Sequence, residues 1–130
     1  MILTGTISDA AATTDRWTHV CRYDDLLPDR GVAALVDGEQ VAVFRLADGS
    51  LHAVSNYCPA SGAYVISRGI VGSQGTMATV ASPVYKDVFD LRTGTCLTGT
   101  AEPLTIHLVF RHRGLVFCSL REASPDTEGI

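Results

Sequence analysis

The chain has 130 residues, 46% of them hydrophobic and only 18% charged, against roughly 25% charged in ordinary soluble domains. It reads as one core-rich domain, neither disordered nor long enough for two. Ten Lys and Arg against fourteen Asp and Glu give a net charge of −4, the wrong sign for a phosphate backbone, which excludes nucleic acid as a partner.

The first fifteen residues carry no Lys or Arg and no apolar run fit for a secretion signal. No stretch approaches the ~18 apolar residues of a membrane helix. The expectation is a soluble, cytoplasmic protein with reduced cysteines, arranged as a flexible segment over 1–15, a domain over 16–120 and a flexible polar tail over 121–130.

Trp17 to Cys21 is the first predicted strand, followed by a connector, Arg22 to Asp29, with room for one helical turn before Pro28. Gly31–Val36, Gln40–Leu46 and Leu51–Val54 are then three strands joined by Asp37-Gly38 and Asp48-Gly49. Asx-Gly turns of this kind make an antiparallel meander. Ser55 to Gly75 is broken by Pro59 and four glycines and is expected to be a long irregular loop, a class that is often functional. In the Ser82 to Lys86 patch, Pro83 removes a ladder donor and demotes the segment to edge or loop. Phe89 to Gly94 reads as a short hairpin arm. Leu104, Ile106, Leu108 and Phe110 alternate with their neighbours at period two, and Leu115–Leu120 runs back after His112-Arg113-Gly114. The fold class is all-β, an antiparallel sandwich or small barrel.

Little of this supports chemistry. Cys21, Cys58, Cys96 and Cys118 are scattered with no C-x-x-C pair, so neither a zinc ribbon nor a redox pair is read from them. There is no G-x-S-x-G nucleophile element and no glycine-rich phosphate loop. The four histidines fall on or between strands without a second ligand at metal spacing. Asp87 and Asp90, beside Lys86 and Arg92, read as solvated charge rather than a catalytic dyad.

The informative constellation is the pair of loops. A Rieske [2Fe–2S] centre takes two Cys on one iron and two His on the other, from loops reading C-x-H and C-x-x-H. Cys58-Pro59-Ala60-Ser61-Gly62-Ala63 resembles the first loop. Ser82-Pro83-Val84-Tyr85-Lys86, with Phe89-Asp90-Leu91-Arg92-Thr93-Gly94 after it, resembles the second. By this resemblance Cys58, Ala60, Ser82 and Tyr85 occupy the four ligand positions, and only Cys58 keeps a ligand. Ala60 has no donor atom, and hydroxyl and phenol oxygens are hard donors where soft sulfur and imidazole belong. Cys58 then reads as a small buried apolar residue.

Trp17-Thr18-x-Val20-Cys21, the strands from Gly31 and Gln40, and above all Ser67-Arg68-Gly69-Ile70-Val71-Gly72 are similar to the ligand-free branch of the Rieske-like group. That branch is the small subunit of assimilatory NAD(P)H-dependent nitrite reductase, the NirD type. The resemblance spans about Trp17 to Leu120 and implies a subunit with no active site, metal or cofactor of its own. FAD, siroheme and an iron–sulfur cluster would sit on the large subunit, which reduces nitrite to ammonium and would be the partner. Tyr85 with Lys86 and Arg68 forms the candidate partner-binding set, an aromatic anchor with basic neighbours. The alternatives are a Rieske-type ferredoxin with atypical ligands, or a free-standing β-module acting on another oxidoreductase.

Overall fold

The computed structural model describes residues 17–120, so the expectations for 1–15 and 121–130 lie outside the described residues. Among the described residues there are nine strands, and all named pairings are antiparallel. They are β1 (Thr18–Arg22), β2 (Arg30–Val36), β3 (Glu39–Arg45), β4 (Leu51–Ser55), β5 (Ile70–Gln74), β6 (Met77–Ala81), β7 (Val88–Asp90), β8 (Ile106–His112) and β9 (Leu115–Ser119). Six of them make one sheet in the order β1-β9-β8-β4-β3-β2, and β5-β6-β7 make a second. The first sheet curls into a barrel-like shape.

The predicted meander is present, with β2 paired to β3 from Arg30↔Arg45 to Val36↔Glu39, and β3 to β4 from Val41↔Ser55 to Arg45↔Leu51. Asp37 and Gly38 both have positive φ, 51° and 87°, the type I′ geometry that matches strand twist. Arg113 and Gly114 repeat it between β8 and β9, at 53° and 78°. The 23–25 segment of the connector forms one 3-10 turn.

Period two explains why β3 reads as a continuous apolar run. Val41 and Val43 enter the barrel interior with Leu26, Ala53, Val116 and Cys118. Ala42 and Phe44 point the other way, into a second core with Val54, Cys58, Ile66, Val80, Phe89, Leu91 and Leu104. This second core lies between the outer face of the barrel sheet and the small sheet with its loops. A strand buried on both faces loses the polar alternation that marks a half-solvated one. In the barrel interior, burial pushes the Cys118 thiol up to about 12.

Three expectations are corrected. Ser55 to Gly75 is not irregular throughout: its last part is β5, which pairs with β6 from Ile70↔Ala81 to Gln74↔Met77. β5 is an exposed edge strand containing Gly72, so no apolar alternation announces it. The strand predicted from Leu104 begins instead at Ile106 (β8), and the Leu104 N–H bonds the Gly94 carbonyl at 2.9 Å instead of a ladder partner. Asp90 is not solvated; it is buried, and its carboxylate accepts the Arg92 N–H at 2.8 Å to hold the turn after β7.

The two layers meet through glycines. A Cβ on Gly31 would lie 2.5 Å from the Phe44 ring and 2.6 Å from the Ser67 carbonyl oxygen. One on Gly69 would lie 2.5 Å from the Ala81 carbonyl oxygen. The Ser67-Arg68-Gly69 run is therefore where β2, the 3-10 turn Ile66–Arg68 and β6 approach too closely for any side chain.

Candidate functional site

The site is built from two loops, one over 56–69 after β4 and one over 82–87 after β6. The first is hung on Asn56, which is buried at the end of β4. Its amide nitrogen donates to the Gln40 side-chain oxygen at 3.1 Å and to the Tyr64 carbonyl at 3.2 Å, and its side-chain oxygen accepts the Ser67 N–H at 2.7 Å. Its backbone N–H bonds the Gln40 carbonyl and its own carbonyl accepts from Ile66. One residue thus joins β3 to three points along the loop, Tyr64, Ile66 and Ser67. Within the loop, Cys58 N–H bonds the Ala63 carbonyl and Gly62 N–H bonds the Cys58 carbonyl, both at 2.8 Å.

Asn56→Ala is expected to cost about 2–3 kcal/mol, because buried groups that lose a partner bear their full desolvation penalty. Urea unfolding of the variant, with amide exchange read at Ser67 and Ile66, checks this. The expected outcome is a lower midpoint and faster exchange at both.

The second loop closes on itself: Ser82 N–H bonds the Asp87 carbonyl at 2.8 Å and Lys86 N–H bonds the Ser82 carbonyl at 2.9 Å. Lys86 takes the left-handed conformation, φ 59°. The two loops touch where Cys58 Sγ and Ser82 Oγ, both buried, lie 3.2 Å apart. The Val84 N–H donates to Ser82 Oγ at 3.3 Å, which leaves the Ser82 hydroxyl proton free for the sulfur. Burial alone would raise the Cys58 thiol, but hydrogen bonds from the Ser61 and Ser82 hydroxyls and from the Ser61 and Ala60 backbone outweigh it, and the thiol sits below its ordinary value. Cys58 is accordingly a hydrogen-bonded polar junction between the loops, as well as a small buried residue.

The four positions that the resemblance assigns to ligands fall out unequally. Cys58 and Ser82 are brought together, whereas Ala60 is exposed in the first loop and Tyr85 is 62% exposed at the tip of the second. Two thiolates on one tetrahedral metal at ~2.3 Å each would stand roughly 3.8 Å apart, farther than the Cys58–Ser82 contact. With one soft donor, one hydroxyl, a methyl group and an outward phenol, these residues do not fit a [2Fe–2S] centre. Among the described residues no group of three or more His, Cys, Asp or Glu is placed to hold a metal ion. Cys21 and Cys96 are half-buried and Cys118 is buried, each in its own element or turn, and all four thiols are free.

At the same end of the molecule, Tyr57 and Tyr64 pair edge to face with centroids 5.3 Å apart, and both are exposed. Val84 and Tyr85 are exposed on the second loop, so the joined loops carry an apolar, partly aromatic rim. Arg68 is exposed on the 3-10 turn beside Gly69, which packs on Ala81 where the second loop begins. Tyr57, Tyr64 and Asn56 were not singled out by sequence reasoning. The two tyrosines flanking Cys58 were the available signal for the rim. Asn56 gave little, since its partners lie on other elements.

Comparison with known proteins agrees with this geometry. The Rieske-like [2Fe–2S] domain model matches residues 16–119. The nitrite reductase (NADH) small subunit of Salmonella typhimurium is 42% identical over 83 residues, 63% of this chain and 77% of that one. The NMR structure of the Escherichia coli protein NirD superposes with a TM-score of 0.76 at 32% identity, over 84% of this chain and 100% of that one. The Klebsiella oxytoca nitrite reductase [NAD(P)H] large subunit is 37% identical over 78 residues, 60% of this chain but only 8% of that polypeptide. By fold, by family match and by its relatives, the chain belongs to the Rieske-like [2Fe–2S] domain family and, within it, to the nitrite reductase small subunits.

Proposed function

We propose that this chain is the cofactor-free small subunit of an NAD(P)H-dependent assimilatory nitrite reductase, acting in the cytoplasm by binding the large subunit that carries FAD, siroheme and the iron–sulfur cluster. The observation that carries this reading is the Cys58–Ser82 contact. Where a Rieske domain would hold iron, a thiol and a hydroxyl hydrogen-bond each other at 3.2 Å, and packing rather than metal fixes the two loops. A loop pair stiffened in this way presents its rim in one shape, which lowers the ordering cost of docking. In this reading the chain has no active site, and the rim with Tyr85, Lys86 and Arg68 is the contact surface. The segment of the Klebsiella oxytoca large subunit that is similar to this chain supports association of the two kinds of domain, since there both lie in one polypeptide.

Two readouts on the purified chain test the proposal: iron with acid-labile sulfide, and co-elution with the large subunit from a sizing column. The expected outcome is neither iron nor sulfide, with a stable complex. Stoichiometric iron and visible absorbance would instead favour the ferredoxin reading.

A further inference from the structure

We propose that the groove where the two sheets meet, between the start of β2 and the 3-10 turn, docks a carboxylate-bearing, acidic segment of the large subunit; this rests on the small-subunit reading above. The groove encloses about 430 Å³ and is lined by Asp29, Arg30, Ser67, Arg68 and Ile70 together with Gly31, Gly69 and Val71. Its floor is the close approach of Gly31 to Ser67, packed from beneath by the Phe44 ring. The rim is basic. Arg30 and Arg68 are both exposed, and among the described residues neither guanidinium has an ion-pair or hydrogen-bond partner.

The one carboxylate in the lining is turned away from this role, because Asp29 Oδ1 accepts the Ala47 N–H at 3.0 Å. Gly69 packs against Ala81 at the end of β6, and the second loop, with exposed Lys86, follows from there. A protein of net charge −4 thus keeps two unpaired guanidinium groups on one groove. Ile70, 71% exposed, supplies an apolar contact between them. Guanidinium groups held without internal partners match carboxylates in two-pronged geometry, and a basic patch on an acidic protein selects its partner by charge. The groove adjoins the loop rim, so one partner surface can engage both.

The test uses the full-length chain and its large subunit, with affinity measured at low and at moderate salt. Arg30→Glu combined with Arg68→Glu is expected to raise the Kd by roughly thirty-fold or more at low salt and to flatten its salt dependence. Arg30→Gln with Arg68→Gln should give a smaller loss of the same kind, with an unchanged melting temperature. Arg92→Glu, on the turn after β7 and away from the groove, should bind within about two-fold of the parent. The groove proposal is overturned if the double reversal binds as the parent does, or if Arg92→Glu weakens binding equally. A parent chain that forms no complex overturns the small-subunit reading itself, a result distinct from either.

Discussion

Replacing Phe44 with alanine is expected to cost about 3–5 kcal/mol, the range for a fully buried aromatic truncated in a packed core. The ring is inaccessible to solvent and belongs to the core shared by the outer face of β3, the small sheet and the 56–69 loop. Its edge also fills the space that Gly31 leaves open opposite Ser67. Removing it opens a cavity at the junction of both layers rather than within one of them. Since single domains hold only about 5–15 kcal/mol in total, the variant should show a large fraction of that loss. Denaturant unfolding checks this, with a lowered midpoint at constant slope as the expected result. A cost below about 1 kcal/mol would show that the small sheet is not anchored on β3 through this ring.

The second large effect concerns binding. Tyr85→Ala is expected to weaken association with the large subunit by about thirty- to hundred-fold, in line with ~2–3 kcal/mol for an aromatic anchor at an interface centre. Lys86→Glu, which reverses the adjacent charge, should weaken it by roughly ten-fold, more at low salt. Neither change should unfold the chain, because Tyr85 and Lys86 are exposed and the loop is closed by backbone bonds through Ser82 and Asp87. Titration calorimetry beside a thermal melt separates the two effects. Normal binding by both variants would remove the second loop from the contact surface.

The parts of the fold that were legible in the sequence are those set by local chemistry. Asp37-Gly38 and Arg113-Gly114 demanded positive φ and turned the chain as expected. The run Val41 to Phe44 read as strand whichever face it buried. What was missed depends on partners far away in sequence. β5 is a strand because β6 pairs with it, not because Ile70 to Gln74 carries a pattern. Asp90 looked solvated because its charged neighbours lie beside it in sequence, while its burial comes from other elements. The candidate site was legible as four positions whose residues could be judged one at a time for donor chemistry. The Cys58–Ser82 contact, the Asn56 anchor and the tyrosine rim required the loops to be folded against each other.

The most direct test of the central claim is nitrite-dependent NAD(P)H oxidation by the large subunit, titrated with this chain shown to be free of iron. The account predicts that activity rises with added chain and saturates once the complex is fully formed. Activity that is the same at every concentration of the chain, or that rises only after iron and sulfide are reconstituted into it, would contradict it.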